Sequence, residues 1–264
     1  MTHWVVITGA TSGIGKALAL HFAKENYHVL ALGRNTSALT KLQNMSKNIK
    51  AVNVDLLTKD AITKIKKSFL QNDKLQFLIH CAVSAEPFVG LSDLTLNDFN
   101  NIMQLNTYIP FYLTTQLSKF FNEKTRVLFI NSDYAPPEGK FHCNISGAYA
   151  ISKAALAKAI QYLRAERPEL LIAEFNPGST HTPLLEKIYD KIAHQPHFFK
   201  KNKTNIATPE EVAFSIFILL TQTDDSTYSM KNWDHLNMDK FISHGLDKTY
   251  LNKKCPQLTL QAKL

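Results

Sequence analysis

Cysteine is scarce in this chain of 264 residues: Cys81, Cys143 and Cys255 are the whole complement. Thiols so few and scattered cannot build a disulfide framework, so the expected compartment is reducing, the cytoplasm. No pair has zinc-ligand spacing, and His142-Cys143 is a lone dipeptide, which argues against a metal site. Long apolar runs are missing as well. Phe214 to Leu220 is far too short to span a bilayer, and glycines and Lys16 interrupt the first apolar stretch at once, unlike a secretory leader. There is no repeat, no long block of like charge and no nucleic-acid-binding signature. A formal net charge of +8 is a mild excess that by itself decides nothing about partners. What remains is ordinary for a globular protein, 45% hydrophobic and 20% charged, and long enough for one α/β domain with a full core.

The stretch that organises the chain runs from Trp4 to Gly15, W-V-V-I-T-G-A-T-S-G-I-G. A β-branched run enters a glycine turn and opens an apolar helical pattern from Ile14 to Ala23, the first half of a βαβ unit. Glycine there permits positive φ and removes Cβ atoms that would hold an anion away from the backbone. The free N–H groups of the new helix then face a pyrophosphate. A glycine-rich turn with no ligand would carry the same residues. His28 to Gly33 reads as a second strand, buried on both faces. Dinucleotide folds that prefer NAD commonly place an acid at its end to grip the ribose 2′-OH. This chain has Gly33-Arg34-Asn35 instead, so Arg34 is free to pair with a 2′-phosphate, and NADP(H) is the expected cofactor.

Further elements follow in alternation. Helices are expected over Ser37–Met45, Asp60–Leu70 and Leu96–Phe121, and strands over Ile49–Val54, Gln76–Cys81 and Arg126–Asn131. Asn106 lies inside the long helix, where asparagine has poor propensity, with Pro110 just beyond it. Ser132 stands at the carboxyl end of a strand, the place where open parallel sheets put chemistry. Tyr149 and Lys153 open a helix reaching about Glu166 and share one face of it. A strand over Leu170–Phe175 leads to Asn176-Pro177-Gly178 and Thr182-Pro183. Ser146 is expected to cap the Tyr149 helix. Thr208-Pro209-Glu210-Glu211 reads as a helix start, and Tyr228 to Trp233 as the last strand.

The T-G-x-x-x-G-x-G turn, Ser132 at a strand end, Tyr149-x-x-x-Lys153 and Pro177-Gly178 occur in order. Together they resemble the short-chain dehydrogenase/reductase family over roughly the first 185 residues. The resemblance implies a single doubly wound, Rossmann-like α/β domain over residues 1–264, with about seven parallel strands and helices on both faces. It implies catalytic roles for Asn106, Ser132, Tyr149 and Lys153. It implies cofactor contacts from Gly9, Thr11, Ser12, Gly13, Ile14, Gly15, Arg34, Asp55, Tyr149, Lys153, Pro177, Gly178 and Thr182. Asp55 would meet the adenine, Thr182 the nicotinamide carboxamide, and Asn106 would hold a helix distortion and a relay water. Alternatively, Asp55 merely begins a loop. The chemistry needs these types: Lys153 should lower the phenol pKa of Tyr149, and Ser132 should hold the substrate oxygen. The expected activity is hydride transfer between NADP(H) and a small carbonyl or alcohol.

Residues 183–206 correspond to the family's substrate lid. Its lysines suit an anionic substrate, although lysines on an exposed helix face account for them equally. The resemblance also implies a homo-oligomer formed through the helices near Asn106 and Tyr149. Residues 239–264 are expected to be a C-terminal extension or tail. Two departures motivate a rival, a dinucleotide-binding scaffold without turnover. His80-Cys81-Ala82-Val83 replaces the family's Asn-Asn-Ala-Gly, with His80 expected to pack rather than catalyse. The interval from Ser132 to Tyr149 is also lengthened by Pro136-Pro137-Glu138-Gly139.

Overall fold

Strands that are apolar on both sides are stable only inside a sheet covered on both faces, and helices between them make that sheet parallel. The computed structural model, which describes residues 3–135, 144–192, 206–230 and 232–235, has this form. The strands are β1 (His3–Thr8), β2 (His28–Gly33), β3 (Ile49–Asn53), β4 (Lys74–His80), β5 (Arg126–Ile130), β6 (Leu171–Asn176) and β7 (Asn232–Asp234). They form one seven-stranded sheet in the order β3-β2-β1-β4-β5-β6-β7, parallel throughout.

Two apolar layers cover it. On one face α1 (Gly13–Lys24), α2 (Thr36–Asn44) and α8 (Pro209–Gln222) bury Phe22, Leu39 and Phe217 against Val5, Val29 and Phe77. On the other, α3 (Ala61–Lys66), α5 (Ile109–Leu117) and α6 (Gly147–Glu166) bury Ile65, Leu113 and Leu156 against Val6, Leu78 and Phe129. α4 (Leu96–Met103) leads into α5, and α7 (Pro183–Ile192) and α9 (Asp225–Met230) complete the helices among the described residues.

Three expected elements differ. The helix over Leu96–Phe121 is α4 and α5 joined by a π-helical turn, Gln104–Tyr108, centred on Asn106, and it closes in a 3₁₀ turn. α3 is shorter than Asp60–Leu70. Tyr228 is helical rather than extended, because Asp224 accepts from Thr227 N at 2.8 Å and starts α9 there. The helix start at Thr208 is as expected, with Thr208 Oγ1 accepting from Glu211 N and Glu211 Oε2 accepting from Thr208 N at 2.8 Å. The insertion around Pro136, most of the lid after Ile192, the 239–264 tail, Cys143 and Cys255 lie outside the described residues.

Candidate active site

The chain leaves β1 toward β2 and β3 and only then returns to β4 beside it, so the loops at the carboxyl ends of β1 and β4 diverge. A crevice opens at such a reversal. Here it is a cleft of about 500 Å³, and every expected site residue lines it except Asn106.

At one end lies the start of α1. Ser12 occupies the cap position without a side-chain hydrogen bond, and no acid sits in the first turn. The leading N–H groups of a twelve-residue helix therefore face the cleft without a built-in anion. Gly9 and Gly13 adopt the expected positive φ, but the missing Cβ atoms serve a different neighbour from the one expected. A Cβ on Gly9 would stand 2.8 Å from the Ala82 backbone, and one on Gly15 2.3 Å from the Gly9 carbonyl. Their bare faces admit neighbouring chain rather than a phosphate. Gly13, at φ +49°, would meet Thr182 instead, which brings α7 against the loop. The donor set still fits a dinucleotide, with free helix N–H groups at one end and hydroxyls and an ammonium at the other.

At the chemical end, Tyr149 and Ser132 line the cleft together, and the Ser132 hydroxyl acts on the Tyr149 phenol. Ser132 Oγ is also 3.3 Å from Asp133 Oδ1 and accepts from Tyr134 N. The Tyr134 ring stands edge-on to Tyr149. Lys153 is buried, its Nζ 5.7 Å from the Tyr149 ring centre and donating to the Ile130 carbonyl at 2.8 Å. The electrostatics depart from expectation. Burial pushes the Tyr149 phenol up to about 12, with Ser132 opposing and Asp133 and Cys81 adding to the rise. Burial also brings Lys153 down to about 8. The ammonium turns to a backbone carbonyl instead of the phenol, so desolvation decides the balance.

The profile of the short chain dehydrogenase family matches residues 3–193. The chain belongs to that family. Its members are oxidoreductases that use NAD(P) and act on small molecules. This short-chain dehydrogenase is 31% identical over 214 residues to an uncharacterised short-chain type dehydrogenase/reductase of Sinorhizobium fredii, covering 79% of this chain and 81% of the relative. It is 28% identical over 207 residues to a sepiapterin reductase of Chlorobaculum tepidum, covering 73% and 83%. Among solved structures, BdcA in complex with NADPH superposes with a TM-score of 0.74 at 22% identity, covering 88% and 93% of the two chains.

Asn106 is not in the cleft. Its amide donates to Ser84 O at 2.6 Å and Ser152 Oγ at 2.9 Å, and its Oδ1 accepts from Ser84 N at 2.8 Å. Both amide hydrogens are committed, so the side chain pins the π turn to the loop after β4 and to the residue before Lys153. Asp55 accepts from Leu57 N at 3.0 Å and lies 3.9 Å from Arg34, so it does begin a loop while lining the cleft. Thr182 Oγ1 accepts from Leu185 N at the start of α7. Ser146 precedes α6 without capping it through its side chain, and its carbonyl accepts from Ala150 N at 2.9 Å.

The replaced Asn-Asn-Ala-Gly has a local substitute. Thr8 Oγ1 accepts from both Cys81 N and Ala82 N at 3.0 Å, tying the ends of β1 and β4 together. His80 stacks on Phe129 and its Nε2 lies 2.8 Å from Thr114 Oγ1. Thr114 gives its one hydrogen to Pro110 O, so Nε2 is the donor. Burial brings His80 down to about 3, a packed neutral ring and no base. Sequence reasoning passed over Thr8, whose signal was a hydroxyl at the strand end just before the turn. It also passed over Asn131 and Glu174, although an acid inside an apolar strand stands out. Among the described residues no cluster of three or more His, Cys, Asp or Glu could hold a metal, and no helix is long and apolar enough to cross a membrane.

Proposed function

We propose that this protein is an NADP(H)-dependent carbonyl reductase or alcohol dehydrogenase in which Tyr149 is the general acid/base. The observation that carries the reading is that Ser132 and Tyr149 meet in the cleft, with the Lys153 ammonium one helical turn along. A nicotinamide bound in the cleft would supply or take up the hydride at the substrate carbon. Ser132 holds the substrate oxygen against Tyr149, which gives its phenolic proton to the developing alkoxide and takes it back in the reverse direction. Lys153, on the same face of α6 as Tyr149, would hold the ribose hydroxyls of the cofactor.

The NADP(H) preference rests on Arg34, since solved neighbours contain NADPH and NADH alike. Its guanidinium is 67% exposed, with Asp55 as an ion-pair partner at 3.9 Å. A relative named NADPH-dependent 1-acyldihydroxyacetone phosphate reductase, from Schizosaccharomyces pombe, is 30% identical over 174 residues, covering 62% of this chain and 54% of the relative. That name supports the same preference. In the described part of the lid, Leu184, Leu185, Ile188 and Tyr189 line the cleft, while Lys187 pairs outward with Glu86 at 2.8 Å. This apolar wall favours a substrate with an apolar body. We further read residues 1–264 as one cytoplasmic domain that forms homo-oligomers.

The scaffold reading is favoured by the high Tyr149 and low Lys153 values, which describe a site not yet poised for proton exchange. A broad panel of aldehydes and ketones with NADPH, followed at the nicotinamide absorbance, separates the two. Turnover is expected, with a loss of about 10²- to 10⁴-fold in Tyr149→Phe and NADPH binding largely intact. NADPH binding without turnover across the panel would favour the scaffold. Equal turnover in Tyr149→Phe would remove Tyr149 from the chemistry.

A further inference from the structure

β6 reads Leu-Ile-Ala-Glu-Phe-Asn, and Glu174 interrupts a run that is otherwise apolar until its last residue. It sits inside the sheet, in register with Phe129 of β5 and Asn232 of β7, and is only 7% exposed. A carboxylate in such a place costs several kcal/mol unless charges and hydrogen bonds compensate it. Asn131, one residue past β5, donates its amide to Glu174 Oε1. From α6, which covers the same face, Arg164 and Lys153 act on the carboxylate, and Arg164 also bonds Ile172 O at 3.2 Å. Tyr228 of α9 faces Arg164 in turn. Around Lys153 the ionisable groups are Glu174 from β6, Cys81 at the end of β4 and Tyr149 on its own helix. The carbonyl that takes the ammonium belongs to Ile130, the residue before Asn131. Asn131 lines the cleft, and its buried Oδ1 has no partner.

We propose that Glu174 is a positioning residue: together with Asn131, its buried carboxylate keeps the Lys153 ammonium charged at the end of β5. This deepens the reading of Tyr149 and Lys153 given above and rests on it. Burial drives Lys153 toward the neutral amine, and Cys81 and then Glu174 oppose that drive. Burial pushes the Cys81 thiol up to about 12, which leaves Glu174 as the group that is anionic near neutral pH. Burial likewise raises the Glu174 carboxyl, opposed by Asn131 and then by Arg164 and Lys153. The coupling is reciprocal, since each charge supports the other.

The test is Glu174→Gln, which keeps an oxygen for Asn131 and removes the charge. In protein labelled with ¹³C at lysine Cε, and with the signal assigned by its loss in Lys153→Met, the Lys153 titration midpoint is expected about one pH unit lower in the variant. The alkaline fall in activity should move down with it. If Glu174→Gln does not fold, the reciprocal measurement serves: Lys153→Met should raise the Glu174 midpoint, read from ¹³Cδ-labelled glutamate. A Lys153 midpoint that does not move, or a Glu174 midpoint unaffected by Lys153→Met, overturns the proposal. Because the NMR titration needs no turnover, its failure is distinct from a failure to find any substrate.

Discussion

Burial takes Lys153 from 10.5 to about 8, so between those values the unfolded chain holds a proton that the folded chain has released. Stability rises with pH wherever the unfolded state binds more protons. Below about pH 8 the folded protein therefore carries the cost of a buried ammonium, and that cost is relieved as pH rises toward 10.5. Tyr149 has the opposite sign: its raised value makes stability fall from pH 10 toward 12. Cys81 and Tyr149, both raised by burial, pull the other way above pH 9 and pH 10. The Lys153 contribution, a gain of up to about 3 kcal/mol across the first window, is therefore read as the difference between urea melts of wild type and Lys153→Met. Lys153→Met should lack that gain, and parallel curves for the two proteins would refute the assignment. Arg34 carries the cofactor preference. Arg34→Ala should weaken NADPH about 10- to 100-fold through lost charge-assisted hydrogen bonds while leaving NADH affinity unchanged; equal loss of both would defeat that preference. At this scale the residue types were legible in the sequence, because Ser132, Tyr149 and Lys153 do meet in one cleft. Their electrostatics were not, because burial depends on residues distant in sequence. Asn106 shows the same limit: its helix break was readable, but its partners Ser84 and Ser152 were not.

Elements were legible where local signals agreed, as at Thr208, where cap, proline and acids all point to a helix start. Tyr228 is the counterexample. Its aromatic neighbourhood looked like a strand, yet the Asp224 cap and long-range contacts made it helical. Its hydroxyl donates to Val127 O at 2.8 Å, and its ring lies 4.8 Å from the Arg126 guanidinium. Arg126 in turn gives hydrogen bonds to the Leu220 and Thr223 carbonyls that close α8, and pairs with Asp225 at 2.8 Å to open α9. One buried cation from β5 thus joins two helices to the sheet edge that carries β6 and β7. Removing it would strand several buried carbonyls and a carboxylate. Arg126→Ala is expected to cost about 3 kcal/mol in urea unfolding, with the cleft and NADPH affinity intact in the folded fraction. A cost below about 1 kcal/mol would show that water replaces the guanidinium and that α9 is held by other contacts.

On the scale of the whole molecule, the surface that remains unexplained is the outer face of α4, α5 and α6. Tyr108, Ile151 and Tyr162 are 46%, 40% and 63% exposed there. Ile151 and Tyr162 fall on one stripe of α6, eleven residues and about three turns apart. Tyr108 stacks on Tyr112 and meets Phe111 edge-on, which makes a rigid aromatic shelf beside the shallow groove of Met103 and Thr107. Aromatic and aliphatic side chains set in a polar rim are the composition of an interface core rather than of a free surface. We propose a second copy of this chain as the occupant, the homo-oligomer that the family resemblance implies. These helices also hold the site: Ser152 and Lys153 lie on α6, and Asn106 on the π turn. In a twofold dimer each substitution acts on both sides, so Ile151→Lys would place a new charge twice in the apolar centre. Sedimentation at micromolar concentration is expected to find wild type at twice the chain mass or more, and Ile151→Lys at the mass of one chain. Because Ile151 is 40% exposed and belongs to neither core cluster, the monomer should keep its fold and its NADPH affinity. A wild type that sediments as a monomer would end the oligomer proposal and leave the face to another partner.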